Sequence, residues 1–307
     1  MLRRVLTVLL ALGLCASTAA APDWSKEKKA GDEALKRKDY VTAIRIFEGL
    51  VRAYPEKVEG FNALGFAYFM AGDQERAVYS FRQALALNPG HPAAQHNLIL
   101  AVTEMAYQQC RNLEFTEAVS MLRNILSTYP NHPEAAHVYF LLGKVEFYRG
   151  DEARALANWR EVARRVPNSA TARFLSGYDL ESKGDLTAAA ERYQGAVKKL
   201  PDEPVFRNYF GMCLARRGKL DQGLAQLRAG LKEDPELPYI DLRMNCVSLL
   251  LLAGQQAEAA EQLKQALVRR PDYGSLYLWQ HALATDPELA RRSLALAVAR
   301  DDRAGVV

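Results

Sequence analysis

A proline recurs about every 34 residues along this chain, and this period constrains the fold more than any other feature of the sequence. The positions are Pro55, Pro89, Pro130, Pro167, Pro201, Pro235 and Pro271, separated by 34, 41, 37, 34, 34 and 36 residues. A period of about 20 to 50 residues is typical of an array of one repeated supersecondary unit. The 307 residues therefore indicate a tandem array, and not one large domain or two ordinary ones.

Two further columns of residues keep step with the prolines. A small residue stands twelve positions before each proline, at Ala43, Ala77, Ala118, Ala155, Ala189, Gly223 and Ala259. A bulky apolar residue stands eight positions before, at Phe47, Phe81, Leu122, Trp159, Tyr193, Leu227 and Leu263. The columns predict two amphipathic helices per repeat, which cross closely at small residues, with the proline ending the second helix. Neither helix can bury its apolar face alone, so neighbouring repeats must stack.

The second repeat carries a recognisable signature. It reads Phe61-x-x-Leu64-Gly65-x-x-Tyr68, then Ala77-x-x-x-Phe81, then Pro89. This resembles the tetratricopeptide repeat, with Phe in place of the usual Trp, and the fourth repeat is similar. The resemblance implies an all-α fold, an α-solenoid of about seven helix-turn-helix repeats in a right-handed superhelix with a C-terminal helical cap.

The columns also set the predicted boundaries. Residues 1–20 are a signal peptide, residues 21–273 hold the repeats, and residues 274–307 form the cap and tail; the repeats span about 24–57, 58–91, 92–132, 136–169, 170–203, 204–237 and 240–273. The third repeat is seven residues too long, which either two extra helical turns or a loop near Gln108 to Phe115 would explain. Lys38 stands where later repeats have a turn glycine. The cap is predicted as helices over Ser275–Ala284 and Pro287–Arg300.

The leader predicts export from a bacterial cytoplasm. Arg3 and Arg4 precede an apolar run of about 12 residues and a small-residue exit, which is the pattern of a secretory signal peptide. Cleavage is expected after Ala20, which places the mature protein in an exported compartment, with the periplasm as the first choice. An uncleaved anchor and a lipid on Cys15 are the alternatives, although Leu14 stands where a lipobox has a small residue. No integral membrane segment is expected after cleavage.

The charge of the chain argues against a nucleic-acid-binding protein, and its cysteines argue against a metal site. Removal of the leader leaves 38 basic and 36 acidic residues, which is no footprint for nucleic acid, and none is expected as a partner. Cys110, Cys213 and Cys246 remain, an odd number without metal-site spacing, and are interpreted as core residues. A disulfide between Cys213 and Cys246 is the alternative, because both fall in first helices of neighbouring repeats at similar heights.

The sequence contains no motif of catalysis. Phosphate loops, dinucleotide fingerprints, nucleophile elbows and His-Glu-x-x-His are absent from it. His91 and His96, and His132 and His137, recur at a spacing of five, which points the rings to different helix faces. We therefore expect no enzyme, no cofactor and no metal site.

The best-known ligand mode of the family is a clamp of Lys, Arg and Asn side chains that grips a terminal carboxylate. Lys28 and Asn97 match the clamp positions. Asp32 replaces an Asn, however, and Ala63 and Ala93 replace two other members. The resemblance therefore does not extend to this binding mode.

The resemblance further implies a concave groove, lined by the second, fifth, ninth, twelfth and thirteenth residues of each first helix. The count identifies a mainly aromatic row as the partner-binding surface: Asn62, Phe66, Phe69, Met70, Phe140, Lys144, Phe147, Tyr148, Phe174, Tyr178, Asn208 and Met212. Large apolar groups on a solvent-facing stripe often mark interaction sites. The alternative is that these side chains pack against neighbouring helices.

The predicted function is a non-catalytic scaffold that binds a peptide or partner helix of another protein in this groove. The alternative is an auxiliary subunit of an envelope assembly, secretion or pilus machine, which contacts its partners through the ends or the convex face.

Overall fold

The computed structural model describes residues 22–233 and 239–300, and all regular structure in these ranges is helical. The predicted signal peptide and Pro235 lie outside the described residues. The helices are α1 (Trp24–Lys36), α2 (Tyr40–Ala53), α3 (Val58–Met70), α4 (Gln74–Leu87), α5 (Pro92–Arg111), α6 (Phe115–Thr128), α7 (Ala135–Tyr148), α8 (Glu152–Arg165), α9 (Ala170–Ser182), α10 (Leu186–Lys199), α11 (Pro204–Arg216), α12 (Leu220–Glu233), α13 (Ile240–Leu252), α14 (Gln256–Arg269), α15 (Gly274–Leu283) and α16 (Pro287–Arg300).

The helices alternate as the sequence predicts, so the all-α helix-turn-helix architecture is confirmed. The chain forms two compact units, an N-terminal unit up to Ala101 and a C-terminal unit from Val102, and the boundary falls within α5. Inside each unit, helices that follow one another in sequence pack together.

The turn inside a repeat is a helix end and a helix start joined by three residues. After α3, Gly72 adopts a left-handed φ of 85° and its N–H donates to the Phe69 carbonyl at 3.0 Å. The Asp73 N–H donates to the Tyr68 carbonyl at 3.0 Å, which completes a Schellman motif. The Asp73 carboxylate then accepts the Arg76 N–H at 3.1 Å and caps α4. A turn this tight makes the two helices antiparallel neighbours.

Two repeats make this turn without glycine. Lys38 (φ 60°) and Leu113 (φ 67°) adopt the left-handed conformation at the end of α1 and α5. A side chain with a Cβ is disfavoured there, so these two turns carry local backbone strain.

A glycine of the first helix, Gly65 in the second repeat and Gly143 in the fourth, allows the two helices of a pair to cross at very short range. A Cβ added at Gly143 would lie 2.3 Å from the Trp159 Nε1 atom. Trp159 is fully buried, and its indole N–H donates to the Phe140 carbonyl at 3.1 Å. The bulky column therefore fills the space that the missing side chain leaves.

The extra seven residues of the third repeat are helical. Helix α5 has 20 residues, whereas α3 and α7 have 13 and 14. Seven residues are about two turns, so the loop alternative is wrong.

The predicted core residues and the C-terminal helix pair are also observed. Cys110, Cys213 and Cys246 are buried, and in the described part of the chain none of them is in a disulfide, so the alternative pairing of Cys213 with Cys246 is not observed. Helices α15 and α16 agree with the predicted pair to within one residue at each end.

Candidate functional site

The N-terminal unit has a cavity of about 480 Å³ that holds two of the predicted groove residues. Helices α1, α3 and α5 line it with Asn62, Phe66, Lys28, Asp32 and Asn97, among others. Phe66 is 38% exposed, and the Asn97 amide donates to the Asn62 Oδ1 atom at 3.0 Å. Phe66 is therefore available to a partner, while the two asparagines form one polar floor.

One of the two lysines that line this cavity, Lys28, is paired with an acid. The Lys28 Nζ atom lies 2.7 Å from an Asp32 carboxylate oxygen, one helical turn away on α1. Asp32 is the acid that stands where the carboxylate clamp of the family has an Asn. The ion pair thus occupies the lysine that a carboxylate clamp would use.

The C-terminal unit has a larger cavity, of about 710 Å³. First helices α7, α9, α11 and α13 line it together with the start of α8. The lining residues are Phe147, Gly150, Glu152, Tyr178, Glu181, Ser182, Asn208, Tyr209, Met212, Arg216, Asp241 and Asn245. Four residues of the predicted row, Phe147, Tyr178, Asn208 and Met212, are thus brought together here.

Hydrogen bonds to two glutamates fix the cavity wall. The Tyr209 hydroxyl donates to Glu152 at 2.5 Å, from α11 to the first turn of α8. Glu181 accepts from the Arg216 guanidinium and from the Tyr193 hydroxyl, each at 2.6 Å. These bonds link three successive repeats, so the shape of the cavity depends on how the repeats stack.

Several predicted groove residues are in the interior and not on a solvent-facing stripe. Phe174 is fully buried and stacks on Phe206, with ring centroids 4.8 Å apart. Phe147 and Tyr148 are buried beside Tyr239, at centroid distances of 5.2 and 5.3 Å. The expectation of exposure is wrong for these rings because Phe206 of the next first helix packs on Phe174, and Tyr239, just before α13, packs on Phe147 and Tyr148.

Asn208 is also buried, and its side-chain amide forms hydrogen bonds within the protein. Its Nδ2 atom donates to the Tyr239 hydroxyl at 2.6 Å, and its Oδ1 atom accepts from Asn245 at 2.9 Å. Solvent exposure was expected for Asn208, and a buried amide must instead be satisfied within the protein. Asn245, which is partly exposed, is the asparagine that a ligand in the cavity would meet.

The other members of the row lie outside both cavity linings. Lys144 forms an ion pair of 2.9 Å with buried Glu203, and Phe140 meets Phe206 edge-on at 6.1 Å. Met70 is 42% exposed, and Phe69 is partly exposed. Lys144 and Phe140 thus contact neighbouring side chains, and Phe69 and Met70 line no part of the N-terminal cavity.

The acidic wall of the C-terminal cavity consists of Glu152, Glu181 and Asp241, and none of these acids is among the predicted groove residues. The twelfth and thirteenth positions of the first helices, counted as for the rest of the row, would have identified Glu181, Ser182 and Arg216. Glu152 belongs to a second helix, and Tyr209 occupies the sixth position of α11. The rule of five first-helix positions therefore misses both residues.

Burial among the repeats shifts the acidities of this wall. Loss of hydration raises the pKa of Asp241, and the negative charge of Glu152 raises it further. Loss of hydration also raises the pKa of Tyr209 well above its usual value, with a contribution from its hydrogen bond to Glu152. The tyrosines thus stay neutral donors at any physiological pH.

The described residues hold no group of three or more His, Cys, Asp or Glu side chains arranged to bind a metal ion. The Nδ1 atoms of His91 and His132 accept the backbone N–H groups of Ala94 and Glu134, so both rings cap turns. Within the described ranges, no helix is both long and apolar enough to span a bilayer.

Comparison with known proteins agrees with this architecture. The family profile of the tetratricopeptide repeat matches residues 28–92, 140–204 and 174–238, which is more than half of the chain. No curated protein sequence matches the chain significantly.

Solved structures resemble the fold at low sequence identity. A tetratricopeptide repeat protein from Parabacteroides merdae is 15% identical with a TM-score of 0.50, and the match covers 89% of this chain and 98% of that one. A chain of the APC/C hetero-tetramer Cut9-Hcn1 is 12% identical with a TM-score of 0.53. That match covers 98% of this chain but only 57% of the other.

Proposed function

Because the chain belongs to the tetratricopeptide repeat family, whose members are generally protein-interaction scaffolds, we propose that it binds a peptide or partner helix of another protein in the groove of its repeats. The binding needs no catalysis. The observation that carries the proposal is the C-terminal cavity of about 710 Å³, which four successive first helices line. Cavities of this size with aromatic walls and a few convergent polar groups are typical binding sites.

The exposed aromatic and thioether groups of the two cavities are the proposed anchors. Phe66 serves the N-terminal cavity, and Tyr178 and Met212 serve the C-terminal one. Phe147 and Phe174 support the wall from beneath and do not touch the partner.

We place this function in an exported compartment, the periplasm first. The support is the basic, apolar and small-residue pattern of residues 1–20.

The test is in-cell crosslinking of the full-length chain, followed by identification of the captured proteins. Replacement of Phe66 or Tyr178 by Ala removes one anchor each. Because hot-spot residues contribute about 2 kcal/mol or more to binding, each variant should lose most of the captured partner. Thermal melting should change little, since neither ring is buried.

Tyr79→Ala is the matched control, because Tyr79 is 64% exposed on second helix α4 and lines neither cavity. It should retain the partner. Capture that is unchanged in Phe66→Ala and Tyr178→Ala but lost in Tyr79→Ala would refute the groove as the binding surface.

The alternative function, an auxiliary subunit of an envelope machine that docks through its ends, has one supporting observation. Helices α15 and α16 carry five large apolar side chains at the surface: Leu278, Trp279, Leu289, Leu294 and Leu296 are 36–45% exposed. The terminal repeat of a solenoid ordinarily needs a polar outer face. An apolar end is what a docking contact would require.

The two functions are separated by Leu289→Gln/Leu294→Gln in the same crosslinking experiment. Loss of partners in this variant, together with normal capture by Tyr178→Ala, would favour docking through the C-terminal end. The opposite result would favour the groove.

A further inference from the structure

We propose, as an extension that rests on the scaffold function above, that the C-terminal cavity binds a lysine or arginine side chain from a basic segment of the partner protein. The carboxylates of Glu152 and Asp241 would face the cation, and the rings of Tyr178 and Tyr209 would flank its aliphatic stem.

The first argument is the charge of the wall. Three carboxylates line the cavity, those of Glu152, Glu181 and Asp241, and Arg216 is the one cation among the described lining residues. Arg216 is committed to Glu181 at 2.6 Å. Glu152 and Asp241 are left without an ion-pair partner among the residues that the structure describes, so the cavity carries an excess of two negative charges.

The second argument is the interaction between these two acids. The charge of Glu152 helps to raise the pKa of Asp241, which means that the two carboxylates are near enough to repel each other. A cation placed between them would offset this repulsion, whereas a neutral or acidic ligand would not.

The third argument is the aromatic lining. The rings of Tyr178 and Tyr209 meet edge-on with centroids 5.9 Å apart, and both residues are partly exposed. The hydroxyls of both tyrosines hydrogen-bond to Glu152, so the two rings lie next to this carboxylate. Cations bind favourably over such rings within about 6 Å of the centroid, and the methylene groups of lysine and arginine pack well against them.

The N-terminal cavity lacks these properties. Its lining carries Lys28 and Lys36 beside Asp32 and Glu59, which balances the formal charge. Selectivity for basic segments is therefore assigned to the C-terminal cavity alone.

The experiment measures fluorescence anisotropy of two labelled twelve-residue peptides against the purified full-length chain. The peptides share a Ser, Leu and Ala framework and carry either four lysines or four glutamates at the same positions. The lysine peptide should bind at least about tenfold more tightly than the glutamate peptide. Its affinity should fall as salt rises, because exposed charge pairs are screened.

The decisive variants remove charge with little change of shape. Glu152→Gln/Asp241→Asn should weaken the lysine peptide by about tenfold or more. The control is Glu191→Gln/Glu261→Gln, which removes the same total charge from exposed positions on second helices α10 and α14 and lines no part of the cavity. It should bind as the parent does, and circular dichroism melting should verify that both double variants fold.

Three results would overturn the inference: equal affinity for the two peptides, equal weakening by the two double variants, or no binding of the lysine peptide at all. None of these results would contradict the scaffold function, because that function is tested separately by whether partner capture depends on Tyr178. Loss of that dependence, with lysine-selective binding retained, would instead separate the cation site from the proposed scaffold function.

Discussion

The close helix crossing at Gly143 makes a quantitative prediction about stability. In Gly143→Ala the new Cβ would lie 2.3 Å from the Trp159 Nε1 atom, closer than real Cβ contacts allow. The indole is fully buried and cannot swing into solvent, so either the ring or α7 must move.

The expected change in the free energy of unfolding combines two destabilising effects and one stabilising effect. Overpacking a core costs about 1–3 kcal/mol, and weakening the bond from Trp159 to the Phe140 carbonyl adds about 0.5–1.5 kcal/mol. Replacing Gly by Ala inside a helix contributes about 1 kcal/mol in the opposite direction. The net destabilisation should therefore be about 0.5–3.5 kcal/mol.

Gly49→Ala is the matched control, with the opposite expected sign. Gly49 lies inside α2, and an added Cβ there would meet nothing within 4 Å. Only the helix-propensity gain of about 1 kcal/mol remains, so this variant should be more stable than the parent.

The assay is urea and thermal unfolding followed by circular dichroism. About 1 kcal/mol corresponds to about 2–4 °C for the C-terminal unit, which holds Gly143, and to about 4–8 °C for the smaller N-terminal unit, which holds Gly49. The two variants should therefore shift the melting temperature in opposite directions. A Gly143→Ala variant as stable as the parent would refute the role of the close crossing. Equal destabilisation by both variants would mean that any alanine in these helices is unfavourable.

Three further predictions concern other parts of the chain. Lys38→Gly should stabilise the chain by about 0.5 kcal/mol, because glycine accepts the left-handed turn conformation. Gly72→Ala in the equivalent turn should destabilise it by about 1 kcal/mol, and thermal melts that rank the two variants the other way would contradict this. Burial raises the pKa of the Cys213 and Cys246 thiols to about 11, so iodoacetamide at pH 8 should label them far more slowly in the native chain than in denaturant; peptide mass mapping that finds equal rates would be contrary evidence. N-terminal sequencing of the native protein should begin at Ala21, and an earlier start would contradict export by cleavage.

The aromatic row shows where analysis of the sequence stopped being sufficient. Tyr178 and Phe174 both satisfy the position rule for the groove, yet Tyr178 is partly open and Phe174 is fully buried. The difference comes from Phe206 and Tyr209 of the next first helix, which cover Phe174. A rule that counts positions within one repeat cannot see the side chains of the repeat beside it.

The acidic wall could not be predicted from the sequence for a related reason. Glu152 begins a second helix, and only the stacking of successive repeats brings it to the Tyr209 hydroxyl, 57 positions along the chain. Asp241 and Glu152 influence each other across a still larger separation. No local pattern encodes such pairs, so a groove expected to be aromatic is also negatively charged.

What the sequence determined by itself is the repeated helix pair. Its turns, caps and close crossings depend on residues that are near one another in sequence: the crossing of Gly143 with Trp159 spans 16 positions, and the cap of Asp73 on Arg76 spans three. Contacts of this kind recur once per repeat and leave visible columns. Tertiary structure alone decided which side chains are exposed, how the charges of the cavity combine, and that the extra residues of the third repeat lengthen α5. Exposure and cavity charge depend on side chains from different repeats, and these side chains differ from one repeat to the next, so the period that reveals the fold carries no information about them.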